Sequence, residues 1–392
     1  MVWIGYILFW LSVGVIFYTY AVFPWLISVW AGKKKPSARY FQLHDNLPQV
    51  SILIAAYNEE AVIEQKIRSV FNTSYPLKKL EVLVGSDCST DATHAILEKL
   101  SNEFKGLRFF PFEKRRGKGN VMNDLFTHSR GDILVLTDAN VMLDENTLFE
   151  LIKYFKQEDV GLVDTRMINT HMHPSGISYQ EKAYISREVS IKQHESVLWG
   201  TMMGPFGGCF AIRRVLYAPV PRNFLVDDFY INMKVLEKGY QCINNLDALV
   251  FEDVSNNLTD EFRRKIRIAT GNFQNLRAFS HMLWHPRPGL SFSFISHKVL
   301  RWLGPFFLIL AFATHAWLAF LSPFYFSLFL LHCALIVVPL PDILLKRLGL
   351  HLKLLRFVTH FYSMNLAMLI GFFKSLKNIE SNVWKPTQRN QA

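Results

Sequence analysis

Two long stretches without a formal charge bracket this chain, and they constrain what it can fold into more than any other feature. Residues 4–30 run for 27 positions without Asp, Glu, Lys or Arg, and residues 302–341 for 40. At ~1.5 Å per residue the second run would extend about 60 Å as a helix, twice a hydrocarbon core of ~30 Å. It reads as two spans broken at Ser322-Pro323, and residues 4–30 read as one. Residues 357–373, interrupted by His360 and Asn365, form a weaker third candidate. A cleaved signal peptide fits the first run poorly, because the run is too long and no basic stretch precedes it. Lys33-Lys34-Lys35 follows directly, so the positive-inside rule puts the next domain in the cytoplasm.

Between the greasy ends, residues 50–268 alternate short apolar runs with amphipathic stretches. Residues 50–56, 80–84, 107–111 and 133–136 read as strands. Helical spacing falls between them: Val62, Ile63, Ile67 and Val70, then Ala92, Ala95, Ile96 and Leu100 behind a capping signal at Ser89-Thr90-Asp91. Gly117-Lys118-Gly119-Asn120 opens a further helix. Such alternation predicts an α/β domain with a parallel sheet and right-handed crossovers. Further along, residues 144–155, 177–198, 229–238 and 258–280 read as helices, and 161–167 and 248–251 as strands. Residues 204–212 are glycine-rich and then apolar, and 218–228 form a loop with two prolines. The expected organisation is a transmembrane helix over 1–32, a cytosolic domain over 33–280 and an interfacial amphipathic segment over 281–301. Two or three transmembrane helices over 302–375 and a polar tail over 376–392 complete it.

The net charge of +11 does not point to nucleic acid, because the cations form no aromatic-interleaved stripe. They cluster around 33–35, 114–118, 263–267 and 346–356, and three of these clusters flank the apolar runs, as suits anionic lipid headgroups. Cys88, Cys209, Cys242 and Cys333 have no paired spacing, so neither a disulfide framework nor a zinc site is implied.

The chemistry-bearing residues sit where these strands end. Asp87 follows the second strand, and Asp138-Ala139-Asn140 follows the fourth. Carboxyl ends of strands are where α/β sheets bind ligands. Asp138 and Asn140, at i and i+2, offer oxygen ligands suited to Mg²⁺ or Mn²⁺. A turn or helix cap is the plainer use of such residues. Lys118, flanked by Gly117 and Gly119, can meet phosphate at a helix start, although no P-loop spacing is present. Asp227-Asp228 can supply a general base or merely complement a helix dipole. Gly207-Gly208-Cys209 permits close backbone approach to a ligand. Arg263, Arg264 and Arg267 share a helix face that fits either a diphosphate or a membrane surface.

Taken in order, these motifs resemble the family 2 glycosyltransferases of GT-A fold, nearest the membrane-embedded branch that holds the cellulose, chitin and hyaluronan synthases. The resemblance implies a Rossmann-like, mostly parallel sheet. It implies nucleotide-sugar contacts from Ala56, Tyr57, Asn58, Glu59, Asp87, Lys118 and Asp138, and metal ligation by Asp138 and Asn140. It further implies acceptor contacts at Gly207, Gly208 and Cys209, a catalytic pair in Asp227 and Asp228 with Asp228 as base, and diphosphate contacts from Arg264 and Arg267. Two motifs depart from the family pattern. Asn140 stands where DxD has its second aspartate. In the QxxRW motif, Arg264 stands for Gln and Ile268 for Trp, which weakens the case for a processive polymerase.

The implied reaction is a single inverting displacement. An acceptor hydroxyl would attack an NDP-sugar, UDP-linked as this branch implies, with Asp228 taking the proton and Mg²⁺ or Mn²⁺ assisting the diphosphate. The implied partners are the NDP-sugar, a lipid-linked or glycan acceptor, membrane lipids, and an export partner or oligomer, with no nucleic acid. The implied location is the plasma membrane, multi-pass, in cell-surface polysaccharide synthesis. A sugar-nucleotide-binding regulator on the same fold is the rival that Asn140 favours and Asp228 opposes.

Overall fold

The computed structural model describes residues 2–34, 39–170, 178–253, 258–348, 352–377 and 379. Lys35, Ile177 and nearly all of the expected polar tail lie outside the described residues.

An eight-stranded sheet forms the centre: β1 (Val50–Ala56), β2 (Leu80–Asp87), β3 (Leu107–Phe112), β4 (Ile133–Asp138), β5 (Val141–Leu143), β6 (Val160–Thr170), β7 (Cys209–Arg213) and β8 (Gln241–Asp253). Their spatial order is β3-β2-β1-β4-β7-β6-β8-β5. The first four strands are mutually parallel, as the strand–helix alternation predicts. β7 runs antiparallel to both β4 and β6, while β6 and β8 are parallel again. The sheet is therefore mixed and mostly parallel. β1 has β2 on one side and β4 on the other, and at such a reversal of strand order a crevice opens beyond the carboxyl ends.

The strands lack polar alternation because both faces are covered. Ile52, Ile54, Val82, Val84 and Val135 pack on one face with Ile63, Ile67 and Leu97. Leu53, Leu83, Leu134 and Leu136 pack on the other with Val121, Leu125, Phe294 and Trp302. The second face is thus closed partly by residues 290–302, which join the soluble layer to the apolar helices. At ~25 cal/mol per Å² this two-sided burial is the dominant stabilising term.

Among the described residues two helices are long and apolar enough to cross a membrane, Val2–Ala31 and Pro323–Leu345. A third span arises if the bent pair Leu290–Trp302 and Gly304–Ala319 counts as one, its halves meeting at 59°. Within Val2–Ala31, Pro24 withholds the N–H that would reach the carbonyl of Tyr20, and the ladder widens into a π turn over Tyr18–Val22. The helix Lys353–Ser375, which holds the weaker third candidate, lies along the helix Leu258–Ala278, with Gly371 against Ala269.

Buried charges fasten these layers. His297 bridges Glu195 and Glu188 of the helix Ser178–Trp199 at 2.8 Å on each ring nitrogen. Arg301 donates to Glu188 at 2.8 Å, and Lys298 donates to it as well. The fully buried Lys192 of the same helix pairs with Asp164 of β6. Removing one partner of such a pair strands a charge. Lys192→Met should therefore lower stability by about 3–5 kcal/mol, and adding Asp164→Leu should recover most of the loss. Thermal unfolding in detergent checks this; a double variant no better than the single would contradict it.

Candidate active site

The loop after β1 and the loop after β2 are stitched into one platform. Asn58, held at φ +52°, accepts from the backbone N–H of Thr90 at 2.8 Å and donates to its hydroxyl at 3.2 Å. The N–H of Glu59 donates to Thr93 at 2.9 Å, and the N–H of Glu60 to Asp91 at 3.1 Å. Tyr57 projects from this platform, with the Arg115 guanidinium 3.5 Å from its ring centre. Ala56 is buried at the end of β1. Asp87 spends both oxygens on the next loop, accepting from the N–H of Arg116 at 2.7 Å and of Gly117 at 2.8 Å. Those bonds aim the start of the helix Lys118–His128 at the crevice.

Lys118 is the hub. Its ammonium lies 2.6 Å from Asp138 and donates to the carbonyl of Gly207 at 3.4 Å. Burial alone would pull Lys118 down, yet the charges of Asp138, Asp227 and Asp228 outweigh it and raise the ammonium above its ordinary value. Asp227 and Asp228 open the helix Asp227–Glu237, where acidic side chains complement the dipole. Burial and the adjacent Asp227 carboxylate push Asp228 up to about 7, against the pull of Lys118. Arg267 donates to the carbonyl of Leu225 at 3.0 Å and sits within electrostatic reach of Asp227, Asp228 and Asp138. Residues from four separate elements thus converge on one point.

Gly207 is demanded by this packing. It holds φ +79°, and a Cβ there would come within 2.2 Å of Asp228 Oδ2. Gly208 accepts from the Thr137 hydroxyl at 2.9 Å, tying the glycine pair to the end of β4. The Cys209 thiol is fully buried in the sheet and raised to about 11 by that burial. Arg264 is turned along its own helix, bidentate to Glu261 at 2.8 and 3.0 Å, on the rim of the cavity next to Asp228.

Asn140 donates to Glu252 at 3.2 Å, so a residue at the end of β8 belongs to the site as well. With Asp138 this is an all-oxygen set that suits a hard divalent cation. Among the described residues no three His, Cys, Asp or Glu side chains converge as a complete cage. Glu252 follows an apolar run as Asp87 and Asp138 do, and that pattern was the available signal. Lys66 is a second addition: fully buried, it donates to Thr137 at 2.8 Å and to the carbonyl of Val141 beneath the Asp138–Asn140 turn. Burial lowers its ammonium to about 8. Its position on the same helical stripe as Ile63, Ile67 and Val70 marked it as an anomalous charge on a buried face.

A cavity of about 560 Å³ opens from Asp228 between the helices Leu258–Ala278 and Lys353–Ser375.

A family model described as "Glycosyl transferase family 2" matches residues 51–219. A beta-monoglucosyldiacylglycerol synthase of Nostoc sp. is 30% identical over 182 residues, covering 45% of this chain and 39% of the relative. A probable glycosyltransferase of Bacillus subtilis is 25% identical over 240 residues, covering 58% and 56%. A poly-beta-1,6-N-acetyl-D-glucosamine synthase of Staphylococcus epidermidis is 30% identical over 130 residues, covering 32% and 30%. The chain thus spans less than two thirds of the length of these relatives. Among solved structures, a mannosyltransferase from Pyrobaculum calidifontis, in complex with GDP-Man and Mn²⁺, superposes with a TM-score of 0.74 at 23% identity. That match covers 96% of this chain and 98% of the other, and it shows that the fold is shared.

Gly207→Ala should cost about 1–3 kcal/mol through its backbone conformation, plus the clash with Asp228. Introduced into an Asp228→Ala background, the same change should cost measurably less, since the clash is gone. Denaturation of the four proteins of this cycle checks it; equal costs in both backgrounds would contradict the close approach.

Proposed function

We propose, from the premise that the chain belongs to the family 2 glycosyl transferases through residues 51–219, that it is a membrane-bound inverting glycosyltransferase. It takes a sugar from a nucleoside diphosphate, UDP-hexose or UDP-N-acetylhexosamine, and places it on a hydroxyl of a glycan or lipid-linked acceptor. The observation that carries this reading is Asp228, a carboxyl raised to about 7 on the floor of the cavity. A general base works best with a pKa near the operating pH.

The reaction balances as one displacement. The acceptor oxygen attacks the anomeric carbon, its proton passes to Asp228, and the bond to the diphosphate breaks with the electron pair leaving on the diphosphate. Lys118 and Arg267 place positive charge where that leaving group gains negative charge. Asp138 and Asn140 would hold Mg²⁺ or Mn²⁺, which as a Lewis acid offsets phosphate charge when bound. Tyr57 and Arg115 offer a flat, cationic platform for a base, and Asp87 keeps Lys118 in register by fixing its loop. The apolar helices and the basic run after the first of them support a membrane enzyme with its site on the cytoplasmic side.

Nucleotide release from nanodisc-held protein, across UDP- and GDP-sugars with Mg²⁺ or Mn²⁺, tests this reading. Asp228→Asn should slow transfer about 10²–10⁴-fold while nucleotide binding survives. The base acts only when deprotonated, and its pKa is raised. Transfer should therefore be lost as pH falls through about 7 and reach a plateau above it. Full turnover in Asp228→Asn would remove the base assignment.

A further inference from the structure

The walls of the 560 Å³ cavity are chemically unlike its floor. The floor carries Asp228 with Gly204, Pro205 and Phe206. One wall is a stripe of Phe357, Phe361, Met364 and Met368 from the helix Lys353–Ser375. Their spacing of four, three and four residues puts them on a single helical face. Facing them is Tyr20, at the π turn of the apolar helix Val2–Ala31, its ring 5.5 Å from that of Phe361. Trp302, where the bent apolar pair turns, lines the same space. The outward face of the wall helix is apolar too, with Leu366 and Phe373 exposed. Charged groups share the lining, with Arg187, Glu188, Lys298 and Arg301 on the Tyr20 side, so the apolar surface is the stripe itself together with Tyr20 and Trp302.

A soluble glycan can lay its C–H faces on the rings, yet it has no hydrocarbon to set along the thioethers of Met364 and Met368. A molecule with one hydroxyl at the floor and a hydrocarbon body satisfies both ends at once, since only the apolar part is repaid by burial. The volume falls within the ~300–1,000 Å³ of ordinary small-molecule sites, so it takes a head and the first carbons of a chain. The remainder of the chain must then lie outside, against the apolar helices. We infer that the acceptor is a membrane lipid alcohol, its free hydroxyl at Asp228 and its chain laid along the Phe357–Met368 stripe. This rests on the transferase reading above and narrows it. A base at Asp228 also belongs with an alcohol: a lipid phosphate monoester, with its second pKa near ~6, is already ionised at neutral pH and leaves no proton to remove. The hydroxyl oxygen forms the bond to the anomeric carbon, its proton goes to Asp228, and the nucleoside diphosphate departs.

The test compares three acceptors in nanodiscs, with the donor that gives nucleotide release: dioleoylglycerol in the bilayer, a polyprenyl phosphate in the bilayer, and a soluble oligosaccharide. Labelled sugar should move into the dioleoylglycerol fraction at least tenfold faster than onto either rival. Met364→Lys should raise the apparent KM for dioleoylglycerol about tenfold or more, and Met364→Leu, which keeps the apolar surface, should restore it. Transfer to the polyprenyl phosphate or the oligosaccharide with dioleoylglycerol idle would overturn the inference alone, as would an unchanged KM in Met364→Lys. Absence of nucleotide release with every donor and acceptor would overturn the transferase reading and this inference with it.

Discussion

One lysine among three carboxylates is the interaction on which the rest of the site depends. Asp138 ends β4, Asp227 and Asp228 open a helix about ninety residues later, and Lys118 opens another helix between two glycines. Unit charges ~4 Å apart interact by about 4 kcal/mol at an effective dielectric near 20. Lys118 is what lets three acids share so small a volume. It leaves the pair at Asp227 and Asp228 poised: burial and mutual repulsion raise Asp228, and the ammonium limits the rise. The glycine at 207 serves the same arrangement, by giving the Asp228 carboxylate room that any Cβ would take.

Around this knot the protein is layered by what each element must bury. The sheet buries both faces, one under its own helices and the other partly under Phe294 and Trp302. The fastening of the apolar part to the soluble part is ionic and buried, through Glu188, Glu195, His297 and Arg301. The loop that follows those glutamates also depends on them, since Glu195 accepts from the N–H of Met203 at 3.0 Å just before Gly204 enters the cavity floor. The same residues that hold the apolar helices in place therefore shape the space in front of Asp228.

Much of this was legible in the sequence because it is local. Apolar runs bounded by turns gave β1 to β4 and β6, and the acids just past β2 and β4 marked the crevice, since strand ends are a property of neighbouring residues. What the sequence hid is non-local. β5 has only three residues, Val141–Leu143, and exists because β8 is beside it. β8 itself runs thirteen residues, through a polar half, Gln241 to Asp247, that carries no strand pattern and whose first four residues are held by pairing with β6. Asn140 meets Glu252 across 112 positions, and Lys66 meets Thr137 across 71, so neither partnership leaves a trace in spacing. The role expected of Arg264 shows the converse. Its helical face was foreseen, but the guanidinium is occupied by Glu261 one turn away, a partner in plain view whose importance depends on burial.

The most direct test of the central claim is the pH dependence of single-turnover transfer by Lys118→Met beside the unaltered protein. If the ammonium restrains the Asp228 carboxyl, its removal should move the acid limb upward from about 7 by about one pH unit or more, in a protein slower at every pH. An acid limb that stays where it was would mean that Lys118 does not set the proton affinity of Asp228. The account of one lysine balancing three carboxylates would then be wrong.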